Sequence, residues 1–202
     1  MSPSYNLDLI TQALVERWED GQNFYLLPYP SRKSGRGLNN PLTDFVLAFK
    51  NGAPNAVAIA FEILTVSLAK IQSKLRDNLG CRYVACIPGH RKGFANPAAE
   101  ALWRRVSEQH DWLTPLPKAL ERTETVPKAA YARARGEEAP DYDDHMRTIK
   151  YNENALRKAG GNFILFDDVL TTSGTSRACR DIIRKATKCE RVIAVFLAKT
   201  ER

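Results

Sequence analysis

The sequence predicts an α/β fold in which a mostly parallel sheet is covered by helices. From Arg82 onward, apolar runs of strand length alternate with longer amphipathic segments, as expected of parallel strands joined by helical crossovers. One of these runs, Phe163–Phe166, is followed by two carboxylates and a hydroxyl-rich loop. Folds of this class bind ligands in loops at the carboxyl ends of their strands, so this loop is the first candidate site.

The composition fits one globular domain over 1–202. Hydrophobic residues make up 44% of the chain and charged residues 26%, which allows a sizeable core. We expect 1–50 to serve as an N-terminal hood or packing segment and 51–202 as the core. The sequence shows no signal peptide and no segment as long as a membrane span, which predicts a cytoplasmic protein without a membrane partner.

Charge and cysteine content narrow the classes of partner and site. The formal net charge of +7 favours anionic partners: phosphorylated sugars, nucleotides or nucleic acid. The four cysteines form no Cys-x-x-Cys pair and have no nearby histidine at ligand spacing; they are Cys81, Cys86, Cys179 and Cys189. They therefore predict thiols of the core or of strand ends rather than a zinc site.

The first half of the chain contains clear helix signals. Leu7, Ile10, Leu14 and Trp18 share one helical face, which predicts a helix over 6–20 ending at Gly21, followed by a short strand over 24–27 and a basic loop over 28–37. Asn40-Pro41 opens a helix through Lys50, and Pro54 opens a long apolar helix toward Leu79. A buried strand is predicted over 82–87, a basic turn over 88–94, and a helix from the Asn96 cap to about His110.

The second half is less regular before its last strands. A short strand is predicted over 112–116, and then periodicity is weak up to Asn162, which is typical of a lid. An apolar strand is expected over 191–198.

The hydroxyl-rich loop at 171–176 has the composition expected of a phosphate-binding loop. It opens a helix, where free main-chain N–H groups and the helix dipole favour an anion. Its hydroxyls add donors, and Gly174 tolerates backbone angles that allow close approach to a ligand. Asp167 and Asp168 precede it and suit ribose hydroxyls or a hydrated Mg²⁺. A phosphate site next to a polyol site indicates a ribose 5-phosphate.

Two rival interpretations fit the same stretch less well. An acidic strand end also occurs in nucleotide hydrolases, but no Gly-x-x-x-x-Gly-Lys-[Ser/Thr] motif lies upstream. A solvated strand end followed by a helix cap would account for one or two hydroxyls, but hardly for the whole run.

The stretch from Phe163 to Ser176 resembles the phosphoribosyl diphosphate (PRPP) signature of type I phosphoribosyltransferases: four apolar residues, two acids, two apolar residues and a Thr-rich loop. Within that superfamily the chain resembles the ComF family. Lys92-Gly93-Phe94 stands where ComF proteins have Arg-Gly-Phe, and Arg122 and Arg147 match arginines of ComF segments. Glycine, usual in the family at the position of Ser173, comes one place later here. ComF zinc is not carried over, because no cysteine precedes Cys81.

The resemblance implies a type I phosphoribosyltransferase fold with a small hood formed by the N-terminal part and the 114–155 loop. It also implies catalytic roles for Asp167, Asp168, Arg91, Lys92 and Arg122, and it makes Asp167 and Asp168 the residues that would hold Mg²⁺, directly or through water. The PRPP-binding residues it implies are Pro88, Gly89, His90, Asp167, Asp168, Val169, Leu170, Thr171, Thr172, Ser173, Gly174, Thr175 and Arg147.

The expected function is Mg²⁺-dependent transfer of the 5-phosphoribosyl group from PRPP to a nitrogen nucleophile, a nucleobase or amine, with release of diphosphate. The alternative is a non-catalytic protein of the same fold that senses PRPP or a nucleotide and binds nucleic acid or a protein partner, as a competence or defence accessory. Pairing is common in the superfamily, so a homodimer is expected by resemblance only.

Overall fold

A six-stranded sheet forms the centre of the protein in the computed structural model, which describes residues 7–30, 40–128, 132, 135–136, 138–157, 159–170 and 173–201. Its strands are β1 (Arg17–Glu19), β2 (Asn23–Pro30), β3 (Cys81–Cys86), β4 (Thr114–Pro115), β7 (Asn162–Leu170) and β8 (Val192–Glu201). Their order across the sheet is β1-β2-β8-β7-β3-β4. All neighbours are parallel except β1 and β2, which confirms the predicted mostly parallel α/β architecture.

A second, antiparallel sheet pairs β5 (Leu120–Arg122) with β6 (Ile149–Tyr151). The helices in chain order are α1 (Leu7–Gln12), α2 (Pro41–Lys50), α3 (Pro54–Gln72), α4 (Pro97–Gln109), α5 (Tyr142–Thr148), α6 (Glu153–Leu156) and α7 (Gly174–Thr187). A π-helical segment, Ser73–Asn78, extends α3. Gly80 then leaves the helix with φ of +62°, a conformation that glycine adopts without strain.

Local sequence explains where the helices begin. The Asn40 side chain accepts hydrogen bonds from the main-chain N–H groups of Leu42 and Thr43, and Pro41 is the first helical residue. Asn96 caps α4 in the same way, by accepting from Ala98 N–H at 2.9 Å. Both starts were predicted, because the Asn-Pro pair supplies a cap and a preset φ.

The sheet is covered on both faces by apolar side chains. One core contains Phe49, Leu64 and Trp103 from α2, α3 and α4, packed on Ile164 and Phe166 of β7. The other core lies between the sheet, α7 and the small sheet, and includes side chains of β7, α7 and β5; they are Phe163, Leu165, Ile182, Ile183 and Leu120.

The expectation that no segment is as long as a membrane span was wrong, because the long helix resembles one in length and composition. Pro54–Asn78 has 25 residues, and its most apolar 18-residue window has a mean hydropathy of 1.5. Ala60, Leu64 and Leu68 are nevertheless almost fully buried in the core. The helix therefore packs one face against the core.

The N-terminal prediction was partly wrong. The helix ends at Gln12, and Trp18 lies in β1, where its ring packs on Phe24 of β2 at 5.1 Å between centroids. Positive φ angles at Glu16 and Asp20 reverse the chain before and after β1. Trp18 is partly buried by its cross-strand contact with Phe24 and not by a helix. Its helical spacing from Leu14 is therefore a coincidence.

Two further predictions need correction. Strand β2 is longer than the predicted 24–27 and includes Pro28 and Pro30. Strand β1 pairs only with residues 23–25 of β2, so in the described part of the chain one side of β2 is a free edge at both prolines and tolerates a missing N–H. The strand predicted over 112–116 is present as the shorter β4, but the weakly periodic stretch that follows it is not simply a loop, since it forms β5, β6, α5 and α6. The part of the predicted basic loop from Ser31 to Gly37 lies outside the described residues.

The cysteine prediction was correct. Cys81, Cys86 and Cys179 are buried free thiols and Cys189 is partly buried. Burial raises the pKa of Cys81 to about 12, so this thiol is protonated at neutral pH and behaves as an apolar group.

Candidate functional site at the ends of β3 and β7

The carboxyl ends of β3 and β7 lie side by side at one edge of the sheet. These strands are parallel neighbours, with Val84 opposite Ile164 and Cys86 opposite Phe166. The Ile87 N–H continues the ladder by donating to the Phe166 carbonyl at 2.8 Å. The carboxyl ends of β3 and β7 therefore lie next to each other.

We call residues 88–93 the β3 loop. Pro88 is buried, but Gly89 is exposed, and a Cβ atom built on Gly89 would meet no protein atom within 4 Å. Arg91 and Lys92 are exposed. The loop thus offers an open main-chain surface with two cationic side chains beside it.

The β3 loop is held by the end of β5 and the segment that follows it. Gly93 and Arg122 exchange two main-chain hydrogen bonds of 2.8 Å. Lys92 N–H donates to Thr125 Oγ1 at 3.0 Å, and Val126 N–H donates to the His90 carbonyl at 2.9 Å. These four bonds fix the main chain of the loop before any ligand binds.

The surroundings of the β3 loop are electropositive. Burial lowers the pKa of His90, and the charges of Lys128, Arg91, Lys50 and Arg122 lower it further. His90 is therefore neutral at neutral pH. Cations from four separate segments acting on one half-buried side chain create a local field that attracts anions.

The start of α7 is the second half of the site. Ser173 has φ of −77° and ψ of 0°, and its side chain makes no capping hydrogen bond to the helix. Any residue adopts these angles, so the serine found where the family has glycine causes no backbone strain. Gly174 is helical, so the unusual angles considered for it are not used. Thr171 and Thr172 lie outside the described residues.

The two acids lie inside β7 rather than after it. Successive side chains of a strand point to opposite faces, and the partners agree with this. Asp168 forms an ion pair with Lys50 of α2 at 3.0 Å, whereas the charge of Asp167 acts on Arg122 and Cys179 on the α7 side. The two carboxylates nevertheless remain close to each other, because the charge of Asp168 and a side-chain hydrogen bond with it both act on the pKa of Asp167.

Their electrostatic environments differ as well. Burial raises the pKa of Asp167, and the neighbouring charge of Asp168 raises it further against the opposing effect of Lys50. Burial acts to lower the pKa of Lys50, but the charges of Asp168 and Asp167 outweigh burial and raise it. Lys50 is therefore a permanent cation at this edge.

Arg122 lies beneath the two loops rather than on their surface, with only 1% of the residue exposed. Its Nε donates to the Gly89 carbonyl, its Nη1 to Thr148 Oγ1 at 2.7 Å, and its Nη2 to His145 Nδ1 at 3.3 Å. Burial lowers the pKa of Arg122, but an arginine remains charged at neutral pH. The structure gives this predicted residue three protein partners, one of them in the β3 loop.

Three more of the predicted residues occupy different surroundings. Arg147 is exposed and pairs with Glu124 at 2.9 Å and Asp144 at 3.5 Å, so the structure joins it to acids of its own region and not to the loops. Leu170 is buried, and Val169 packs on the core. A ligand would reach these two residues through their main chain.

Sequence reasoning missed Lys50, His145 and Thr148 as parts of this region. Lys50 ends a predicted helix, but nothing in the sequence shows that the helix end reaches Asp168, 118 positions away. His145 contacts Thr175 Oγ1 through Nε2 at 3.0 Å across 30 positions. Only the folded arrangement of β5, α5 and α7 brings these side chains together.

The donor set at this edge suits Mg²⁺ better than a transition metal. Within the described residues, no group of three or more His, Cys, Asp and Glu side chains has the arrangement of a metal site. Mg²⁺, however, commonly takes one or two carboxylates and completes its shell with water and substrate phosphates. Asp167 and Asp168 supply such oxygens.

Comparisons with known proteins leave the family open. No protein-family model matches the chain, and no curated protein matches it.

Proposed function

We propose that the protein is a Mg²⁺-dependent phosphoribosyltransferase that transfers the 5-phosphoribosyl group of PRPP to a nitrogen nucleophile, a nucleobase or an amine. One observation carries the proposal: the electropositive β3 loop and the open N-terminus of α7 lie side by side at the ends of parallel strands, with Arg122 and His145 linking them. PRPP has two anionic groups on one ribose, a diphosphate at C1 and a phosphate at C5, so each of the two segments would bind one of them.

The 5-phosphate is assigned to the start of α7. Main-chain N–H groups of the first helical turn and the helix dipole favour a phosphate there. Ser173 leaves these N–H groups without a side-chain cap, and Thr175 adds a hydroxyl. Thr171 and Thr172 are assigned to the same phosphate from the signature alone.

The diphosphate is assigned to the β3 loop. The exposed main chain at Gly89 allows close approach, and the Arg91 and Lys92 side chains supply charge to a leaving group that becomes more negative. His90, neutral beside these cations, serves as a hydrogen-bond donor or acceptor. Arg122 acts from below by holding the Gly89 carbonyl.

The ribose hydroxyls are assigned to Asp167 and Asp168, which lie near the carboxyl end of β7 and beside the end of β3. Carboxylates accept hydrogen bonds from sugar hydroxyls and stabilise positive charge on the ring. Asp167 and Asp168 would also hold Mg²⁺, directly or through water. When bound, Mg²⁺ neutralises diphosphate oxygens and so makes diphosphate a better leaving group.

In the reaction, the bond between C1 and the diphosphate oxygen breaks and a bond between C1 and nitrogen forms. The electron pair leaves with diphosphate, and the nucleophile gives up its proton. Positive charge develops on the sugar ring as the first bond breaks, so placed charges and exclusion of water supply most of the catalysis.

The mostly parallel sheet, in which α7 is the next described element after β7, supports the finer assignment to a type I phosphoribosyltransferase fold of the ComF type. A hood over the site is assigned to the N-terminal part and the 114–155 segment, of which β5, β6 and α5 are the described elements.

Calorimetric titration of PRPP with and without Mg²⁺ tests the proposal. We expect saturable binding that Mg²⁺ strengthens, with weaker binding of ribose 5-phosphate and of diphosphate alone, because each occupies half of the site. Diphosphate release is then measured with a panel of nucleobases and amines. No PRPP binding with or without Mg²⁺ would overturn the proposal.

The net charge of +7 favours a second candidate, a PRPP- or nucleotide-sensing protein that binds nucleic acid without turnover. Binding of DNA or RNA that weakens steeply between two salt concentrations, with PRPP binding but no diphosphate release, would support it.

A further inference from the structure

His145 lies at the centre of a chain of hydrogen bonds that runs from one loop of the site to the other. Its Nδ1 is 3.3 Å from Arg122 Nη2, and its Nε2 is 3.0 Å from Thr175 Oγ1. The residue is only 7% exposed. It reaches these partners because α5 packs on α7 and ends beside β6.

The chemistry of the partners fixes the tautomer of His145. A guanidinium only donates hydrogen bonds, so Nδ1 must accept from Arg122. A neutral imidazole then carries its proton on Nε2, and Thr175 Oγ1 accepts that hydrogen bond. An imidazolium would direct an Nδ1–H at the guanidinium, so the arrangement requires the neutral ring.

This tautomer sets the direction of the Thr175 hydroxyl. Because Oγ1 accepts from His145, the Thr175 proton is available to another acceptor. Thr175 is the second residue of α7, next to the main-chain N–H groups that face an anion. The hydroxyl is therefore set as a donor at the 5-phosphate position.

The opposite end of the chain sets the direction of a peptide group in the β3 loop. Arg122 Nε holds the Gly89 carbonyl, so that oxygen points down toward the buried guanidinium. In a trans peptide the carbonyl and the following N–H point in opposite directions. The N–H of His90 is therefore turned away from Arg122, toward the side on which the diphosphate is assigned.

We infer that His145 is a positioning residue that keeps the two anion-binding loops in register, through Thr175 on one side and Arg122 on the other. The inference rests on the proposed function, since it concerns how that site is arranged. His145 touches neither phosphate in this role. It aims Thr175 directly and steadies, through Arg122, the peptide between Gly89 and His90.

Two substitutions separate the halves of this role. In His145→Asn the amide oxygen replaces Nδ1 and still accepts from Arg122, but the bond to Thr175 is lost. In His145→Gln the amide nitrogen replaces Nε2 and still donates to Thr175, but the acceptor for Arg122 is lost. His110 is a matched control, because it is similarly buried at 6% exposure and its Nε2 bonds to the Thr65 carbonyl, outside the site.

The experiment is calorimetric titration of ribose 5-phosphate, diphosphate and PRPP with Mg²⁺ into each folded variant. We expect His145→Asn to weaken ribose 5-phosphate about tenfold and to leave diphosphate within about twofold. His145→Gln should show the reverse preference, and His110→Asn should bind all three ligands as the wild type does. Equal affinities in both His145 variants and the wild type, or equal losses for both ligands in both variants, would overturn the inference.

A second measurement separates this inference from the proposed function. Nitrogen-15 NMR of the imidazole should show His145 neutral and protonated at Nε2 at neutral pH. An Nδ1–H tautomer would overturn the inference even if PRPP binds well. A wild type that binds no PRPP would instead overturn the proposed function and this inference with it.

Discussion

The two faces of the central sheet differ in how their buried polar side chains are joined. On the side of α2, α3 and α4, Thr43, Ser67 and His110 form separate hydrogen bonds, whereas on the other side three of the buried polar side chains form one network. The face under α2, α3 and α4 is filled by large apolar groups such as Phe49 and Trp103, each 1% exposed. The face under α7 and the small sheet also has an apolar core, but it includes Arg122, His145 and Thr148 among its buried residues. The first face mainly stabilises the fold, whereas the second adds a hydrogen-bonded polar network that sets the loops of the site.

Strand β7 carries this difference to the edge of the sheet. Asp168 pairs with Lys50 of α2 on the apolar face, and Asp167 faces the charge of Arg122 on the other. These two adjacent acids thus interact with both faces of the sheet, the one that mainly stabilises the fold and the one that positions the loops of the site. The comparison predicts that substitutions on the two faces separate loss of stability from loss of ligand binding.

Trp103→Ala on the apolar face should have the largest effect. Its ring packs edge-on against Phe166 at 5.3 Å between centroids, so removal leaves a cavity and lowers the free energy of unfolding by about 3–5 kcal/mol. Urea unfolding measures this loss. Under conditions where the variant stays folded, PRPP affinity should be unchanged, and a loss below about 1 kcal/mol would contradict the role given to this face.

Arg122→Met should lose both stability and binding. The substitution removes the hydrogen-bond donor of the Gly89 carbonyl, Thr148 and His145, and a buried group left unsatisfied costs about 1–3 kcal/mol of stability. PRPP affinity should fall more than tenfold, because the β3 loop is no longer held. Urea unfolding and calorimetry measure the two effects.

Arg180→Met is the matched control for that substitution. Arg180 is also buried, at 4% exposure, and its Nη1 donates to Asn23 Oδ1 at 3.1 Å, at the opposite end of β2 from the candidate site. It should lose stability and retain PRPP affinity. If Arg122→Met bound PRPP as well as Arg180→Met does, the polar network would have no part in the site.

Asp168→Asn should affect binding more than stability. The Lys50 partner is 47% exposed at its side chain, and ion pairs of this kind contribute about 0–1 kcal/mol to folding. PRPP affinity should fall about tenfold, which corresponds to about 1.4 kcal/mol. Asp77→Asn, which removes an exposed carboxylate near Arg76, should change neither quantity, and an equal affinity for both variants would remove Asp168 from the site.

The pH dependence of stability should show the smallest effect. Burial and the charge of Arg122 lower the pKa of His145 against the opposing charges of Asp144 and Asp141. Below pH 6.5, which is the ordinary pKa of this imidazole, the unfolded chain therefore binds more protons than the folded protein. Stability falls as the pH drops below that value. Urea unfolding between about pH 7.5 and pH 5.5 should show a smaller fall in His145→Asn than in the wild type.

The sequence predicted the apolar face well because its signals are local. The Asn40-Pro41 and Asn96-Pro97 pairs fix two helix starts, and the apolar run at 163–166 fixes a central strand. Trp18 misled the prediction, because a side chain buried in a hairpin can match helical spacing by coincidence.

The polar network was not predictable from local patterns. Arg122 was singled out, but its contacts with Gly89 and His145 span 33 and 23 positions. His145 lies in an acidic stretch that looks solvated, and its burial depends on how α5 packs against α7. Such contacts follow from tertiary packing, which sequence periodicity does not describe.

The most direct test of the proposed site is an amide NMR titration with Mg²⁺ and PRPP. One saturable event should shift the amide signals of both the β3 loop, around Gly89 and His90, and the start of α7, around Ser173 to Ser176, at the same ligand concentrations. Shifts confined to one of these segments, or to a basic surface elsewhere, would contradict the claim that the two loops form a single PRPP site.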